Sequence, residues 1–192
     1  MIEEQEGRVP YMYRDQLGNV TVGIGLLLRQ PEDAEKLRFE VDDFRVHRAA
    51  TRQEIAAAAW RRVKSAPPAT IRPTFRKLGG LVLANFDIDS YARRRIGEFI
   101  TQLRVAFPEY DSYPYDAQVA LLDIAFNTGS VSPARWPLLT AAVRHRDWRE
   151  AANQSHRRTD QIGSDRNEVT RQRFLSATAA DSTNRLNRSF PP

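Results

Sequence analysis

The 192-residue sequence predicts an α+β protein, mainly helical. It expects a small N-terminal lobe with a β-hairpin and a larger C-terminal helical lobe, joined by a linker helix. Three observations carry that expectation. Tyr11, Tyr13, Val20 and Val22 alternate with polar or small residues, the period-two pattern of strands. Thr51-Arg52-Gln53-Glu54 has the form of a capping box, whose hydroxyl and carboxylate satisfy early helix amides reciprocally. Ile88 to Leu103 and Val119 to Phe126 then place apolar residues at helical spacing. The expected division is 1–50 for the small lobe, 51–65 for the linker helix, 66–178 for the helical lobe and 179–192 for a flexible tail.

Taken in order, Met1 to Gly7 reads as a short helix. Glu6 lies close to the start, which suggests a domain cut from a longer polypeptide. Asp15 to Asn19 has turn chemistry, since Gly18 and Asn19 tolerate positive φ. A third strand is expected around Leu26–Arg29. For Pro31 to Arg48 two readings stay open, with Phe39, Val41, Phe44 and Val46 in an added ribbon or in an ordered loop. The alanine-rich helix after Thr51 ends before Pro67-Pro68, because proline cannot continue a helix interior. Residues 66–86 read as loop with a short helical piece.

Asp87 or Asp89 caps a helix reaching about Ala106. The helix after Pro114 is apolar nearly all round and therefore buried, and Asn127-Thr128-Gly129 closes it. Ser132-Pro133 opens a helix to about His145, and Asp147 starts the next. The last helix is expected over about Arg166 to Ala177. From Ala179 the chain is polar and reads as mobile.

Composition narrows the chemistry. The chain has no cysteine, so neither disulfides nor thiolate metal sites hold it together. His47, His145 and His156 are scattered, without metal-ligand spacing, and no metal or cofactor is expected. No apolar run reaches the ~20 residues of a membrane span, and no signal peptide is visible. The net charge is +5 and the isoelectric point near 9.9. Residues 1–60 balance at −3 and residues 133–192 at +5. Only Lys36, Lys64 and Lys77 are lysines, so the basic surface is arginine. No nucleic-acid-binding motif accompanies it. The expected partner is an anionic cell wall, with a plain solvated face as the alternative, and the chain is expected to be a monomer.

Glu6 to Gly25, EGRVPYMYRDQLGNVTVGIG, carries the chemistry. It offers carboxyls at Glu6 and Asp15 and a hydroxyl at Thr21. Glycoside hydrolysis needs one acid to protonate the leaving oxygen and one carboxylate to activate or position water. Tyr11 and Tyr13 read as hairpin packing, with a sugar platform as the other possibility. Trp136 and Trp148 read as packing aromatics.

Eight residues separate Glu6 from Asp15 and five separate Asp15 from Thr21, with Gly7 after the acid and Gly23-Ile24-Gly25 after the threonine. In that spacing the chain resembles the phage-type lysozymes, the muramidase family. AFNTG at 125–129, RDWREAA at 146–152 and an arginine-rich final helix extend the likeness, and 30–48 and 66–110 fall outside it. The wording FPEYDSYPYDAQVALLDIAFNTG is more similar to lysozyme-like domains of antibacterial toxins, including type VI secretion effectors.

The resemblance implies a lysozyme-like fold and a lysozyme (N-acetylmuramidase) cleaving the β-1,4 bond between N-acetylmuramic acid and N-acetylglucosamine in peptidoglycan. Glu6 is implied as general acid, with a pKa raised by partial burial. Asp15 is implied as its ionised partner and Thr21 as the residue that holds water. Inversion implies carboxyls ~6.5–9.5 Å apart. Phe126 and Asn127 fall at sugar-contacting positions. Arg166, with Arg171 second, falls where the family pairs an arginine with the acid. Leu26 replaces a frequent histidine. The resemblance also implies peptidoglycan glycan strands as substrate, an immunity protein or secretion apparatus as partner, and action on the wall or in the periplasm of a target bacterium. A lysozyme-like module that binds wall glycan without cutting it is the alternative, motivated by Leu26 and the insertions.

Overall fold

A computed structural model describes residues 7–15, 17–43, 48–67, 70, 72–157 and 164–189. For 56–58, 164 and 182–189 it describes the backbone alone. Glu6 and the expected helix before Gly7 lie outside the described residues, as do Phe44, Val46 and His47. The protein is mixed α+β and 61% helical, with a small antiparallel sheet. Two compact units divide it, residues 1–94 and 95–192.

In the first unit, β1 (Val9–Arg14), β2 (Val20–Gly23) and β3 (Leu26–Leu28) form an antiparallel sheet in the order β1-β2-β3. Tyr13 pairs with Thr21 and Arg14 with Val20, and the register slips by a bulge between Val9 and Tyr13. A short helix α1 (Pro31–Glu35) follows, with proline in its first turn where no amide is needed. The open question about the next segment resolves as a strand. β4 (Phe39–Val41) pairs antiparallel with β5 (Leu81–Leu83), Phe39 opposite Leu83.

Helix α2 starts as a π-helical stretch, Glu54–Trp60, and continues as the α-helix Arg61–Ser65. Its capping box is formed. The Thr51 amide donates to Glu54 Oε2 at 2.8 Å, and the Glu54 amide donates to Thr51 Oγ1 at 3.2 Å. Helix α3 (Arg72–Gly79) is the helical piece expected within 66–86. Met12, Val20, Val22, Phe39, Ile55, Val63, Phe75 and Ile88 bury themselves together as the core of this unit. Residues 51–65 therefore belong inside the first unit, and the division falls at 94/95. The reason is burial: Phe75, Leu81, Leu83 and Ile88 complete the sheet's apolar face and carry residues 72–94 with it.

Helix α4 (Asn85–Ala106) runs from the first unit into the second. A 3₁₀ turn, Tyr110–Ser112, leads to α5 (Tyr115–Thr128), ended by Gly129 at φ 86°. Helix α6 (Pro137–Arg144) starts four residues later than Ser132-Pro133 suggested, because 132–136 form a turn in which the Arg135 and Trp136 amides donate to the Ser132 carbonyl. Helix α7 (Trp148–Gln154) is capped as expected, with Asp147 Oδ1 accepting the Glu150 amide at 2.9 Å. Helix α8 (Ser164–Ser189) is longer than expected and takes in most of the presumed tail. Asp181 explains part of that length, since it is 7% exposed and pairs with Arg146 at 3.3 Å. Phe99, Phe107, Leu121, Ile124, Trp148 and Phe174 centre this unit's core, and the Trp148 ring meets Tyr113 edge-on at 5.1 Å.

Glu54 accepts from Arg48 and from the Thr51 amide, which pulls its carboxyl down to about 2. A depressed folded-state pKa contributes stability that is present above the ordinary glutamate range and lost as pH falls through the folded value. Glu54→Gln keeps the capping hydrogen bonds and removes the charge. Its thermal midpoint should lie below wild type at neutral pH, and the gap should close as pH falls from about 4.5 towards about 2. A gap that stays constant across that window would remove Glu54 from the account.

Candidate functional site

The β1–β2 turn is fastened by one of the predicted site residues. Asp15 Oδ1 accepts the Asn19 amide at 2.7 Å, and Oδ2 accepts Asn19 Nδ2 at 3.2 Å. The Asp15 amide donates to the Asn19 carbonyl at 2.9 Å, and the Gly18 amide to the Asp15 carbonyl at 3.0 Å. Gly18 sits at φ 78°, in the left-handed region, and a Cβ there would stand 3.0 Å from Arg14 Nη2. The carboxylate is thus held in a fixed orientation and half-buried. Each of its oxygens keeps capacity to accept a further proton donor.

Thr21 lies in the middle strand, opposite Tyr13 on one side and Leu27 on the other. It is 5% exposed, and its Oγ1 is buried without a hydrogen-bond partner among the described residues. An orphaned buried hydroxyl costs about 1–3 kcal/mol and calls for an explanation. The Tyr13 ring, buried across from Thr21, carries the Arg72 guanidinium at 4.9 Å from its centroid. A Cβ on Gly7 would stand 3.6 Å from Arg72 Nη1. Glu6, next in sequence to Gly7, lies outside the described residues. Leu26 is half-buried on the edge strand opposite Val22.

The remaining predicted residues lie in the second unit. Phe126 and Asn127 occupy the last turns of α5, half-buried, and the Phe126 ring packs at 5.7 Å against Phe99. Arg166, in the first turn of α8, donates from Nη2 to Asp123 Oδ1 at 2.8 Å. Arg157 donates from Nη1 to Asp123 Oδ2 at 2.8 Å. Thr170 Oγ1 donates to the same oxygen at 3.0 Å and accepts from Arg157 Nη2 at 2.6 Å. Asn167 closes the network by accepting the Arg157 amide at 3.1 Å and donating to its carbonyl at 2.7 Å. Burial raises the Asp123 carboxyl, but hydrogen bonds and charge from Arg166 and Arg157 outweigh it and hold the group below the ordinary range. Arg171 is exposed and pairs with Glu168 at 3.1 Å.

The sequence singles out neither Asp123, Arg157, Asn167 and Thr170 of this network nor Arg72 beside Tyr13. Asp123 was signalled only by being the one acid inside an apolar helical run. Arg72 lies in a stretch read as mostly loop, and nothing in its sequence neighbourhood distinguishes it. Among the described residues no group of three or more histidines or acids could hold a metal. A cavity of about 490 Å³ opens in the second unit between Gln102, Val105, Val131, Pro133 and Arg144, and none of the predicted residues lines it. Among the described residues no helix is long and apolar enough to cross a membrane. No protein-family model matches the chain, and no curated protein matches it.

Two measurements follow from this geometry. Thr21→Val removes the orphaned hydroxyl at constant shape and should raise unfolding stability by about 1–3 kcal/mol in urea titrations. A destabilised variant would mean that the hydroxyl is partnered in solution. Asp123→Ala leaves Arg157 and Arg166 buried without their carboxylate and should cost about 3–5 kcal/mol. Asp123→Asn should cost less, and its deficit against wild type should shrink as acid protonates Asp123 below the ordinary carboxylate range.

Proposed function

We propose that the protein is a peptidoglycan muramidase, hydrolysing the β-1,4 bond between N-acetylmuramic acid and N-acetylglucosamine on a lysozyme-like fold. One observation carries the reading. The sequence spacing that resembles the muramidase site puts a hydroxyl at Thr21, and among the described residues that hydroxyl is buried without a partner, six residues after a carboxylate pinned in a turn. A water held there for catalysis would account for such an orphan.

In the proposed mechanism Glu6 protonates the glycosidic oxygen as the bond to the anomeric carbon breaks. Asp15 enters the step as the carboxylate, stabilises the developing positive charge, orients a water on the opposite face of the ring and takes up its proton as the water oxygen bonds to the anomeric carbon. Asn19 orients the carboxylate by donating to both of its oxygens. Thr21 holds the attacking water. The likeness to lysozyme-like toxin domains makes an antibacterial effector, delivered to the target's wall and neutralised by an immunity protein, the proposed setting.

The test is clearing of purified cell walls with mass analysis of the released muropeptides. Wild type should clear walls and release reducing-end muramic acid, and Glu6→Gln should fall by several orders of magnitude while remaining folded. Equal clearing by both proteins removes Glu6 as the acid. Wall retention without new reducing ends favours a binding module, and anhydromuramic ends would replace hydrolysis with transglycosylation.

A further inference from the structure

Arg72 is an exposed arginine in the first turn of α3. Its guanidinium lies over the buried Tyr13 ring at 4.9 Å, and among the described residues no carboxylate pairs with it. That sets it apart from Arg8, Arg38, Arg76 and Arg104, each of which meets an aspartate. Stacking on an aromatic face leaves the in-plane N–H donors of a guanidinium directed outward, ready for a planar two-oxygen acceptor. Tyr13 pairs across the strand with Thr21, and Arg72 Nη1 comes to 3.6 Å from a Cβ placed on Gly7. One guanidinium therefore stands beside both the orphaned hydroxyl's cross-strand neighbour and the residue following Glu6.

We propose that Arg72 is an anion-recognition residue of the hairpin site and receives a carboxylate carried by the glycan substrate. The inference rests on the muramidase reading for the identity of the glycan, and on the Arg72–Tyr13 stack for the recognition. Wall glycan offers such a group in two places, the lactyl carboxyl of muramic acid and the carboxyls of the stem peptides. In intact walls the lactyl group is tied up as an amide, so only stem carboxylates are present. Strands stripped of peptide by an amidase carry the free lactyl carboxylate instead.

The experiment compares wild type, Arg72→Gln and Arg72→Lys on intact walls, on stripped strands and on a neutral chitooligosaccharide. Arg72→Gln should raise KM by about fivefold on one of the two anionic substrates, the scale of one exposed ion pair, with kcat within about twofold. The substrate on which KM rises identifies the carboxylate. Arg72→Lys should recover part of the loss, and affinity for the neutral oligosaccharide should not change. Unchanged KM on both anionic substrates, or an equal loss on the neutral one, overturns the proposal. A shifted pH profile with KM unchanged also overturns it, because Arg72 would then act on the acid and not on substrate. Sedimentation of each protein with stripped strands and intact walls at rising salt supplies a readout that needs no turnover. If wild type cuts neither substrate, the muramidase reading fails, while a salt-sensitive affinity difference between wild type and Arg72→Gln still upholds carboxylate recognition.

Discussion

Asp123 sits among the buried apolar residues of α5, and two arginines allow it to remain there as a carboxylate. An unpaired buried carboxylate would take up a proton or open the fold, since the cost of desolvating it runs to several kcal/mol. Arg157 and Arg166 meet one oxygen each, and Thr170 shares the Arg157 side. The network joins three parts of the chain that no covalent link brings together: α5, the segment after α7, and the first turns of α8. Arg157 is held by its backbone as well, through both hydrogen bonds to Asn167. The start of α8 is thereby keyed to α5 in one register, and Arg166 with it. Such a network is weak evidence for net stability, because an apolar replacement of all members can be as stable. Its effect is specificity, since any slip of α8 against α5 leaves a buried charge alone.

The first unit solves the same problem on a smaller scale. Asp15 stands half-buried at a turn, where the backbone and side-chain amides of Asn19 each donate to one of its oxygens, so no buried cation is needed. The turn then fixes where β2 begins, and through the strand register it fixes that Thr21 meets Tyr13. A slip of one residue would turn Thr21 to the opposite face of the sheet. The glycine at Gly18 and the carboxylate at Asp15 are therefore positioning devices for the hydroxyl six residues later, whatever chemistry that hydroxyl performs.

What could be read in the sequence was local. The Thr51–Glu54 box and the Asp147 cap are reciprocal bonds between residues three apart, so residue type and spacing suffice to call them. The stop at Gly129 and the hairpin turn are local in the same sense. β5 was missed because three residues, Leu81–Leu83, carry no period, and their partner Phe39–Val41 lies some forty positions earlier in the chain. The extra length of α8 was missed because its polar composition argues for a tail, whereas Arg146 supplies Asp181 with a distant partner. At the site, spacing singled out Asp15 and Thr21, but it could not say that the threonine is orphaned. Arg72 reaches Tyr13 only through the packing of α3 on β1, which no local pattern encodes.

That distinction also changes what the basic charge means. A net charge of +5 carried by arginine suggests a diffuse attraction to polyanions. Much of this arginine is already used inside the fold. Arg157 and Arg166 neutralise Asp123, Arg146 holds Asp181, and Arg14 and Arg62 donate to backbone carbonyls. Arg93 and Arg149 are exposed in the ordinary solvated manner and add to a field that physiological salt screens within about 8 Å. A cation recognises one group, rather than merely attracting charge, when its donors are held in one orientation before the ligand arrives. Stacking on a buried ring meets that condition and simple exposure does not. The charge that matters for a partner is therefore set by how many guanidinium planes are fixed and still accessible, and net charge is a poor measure of it.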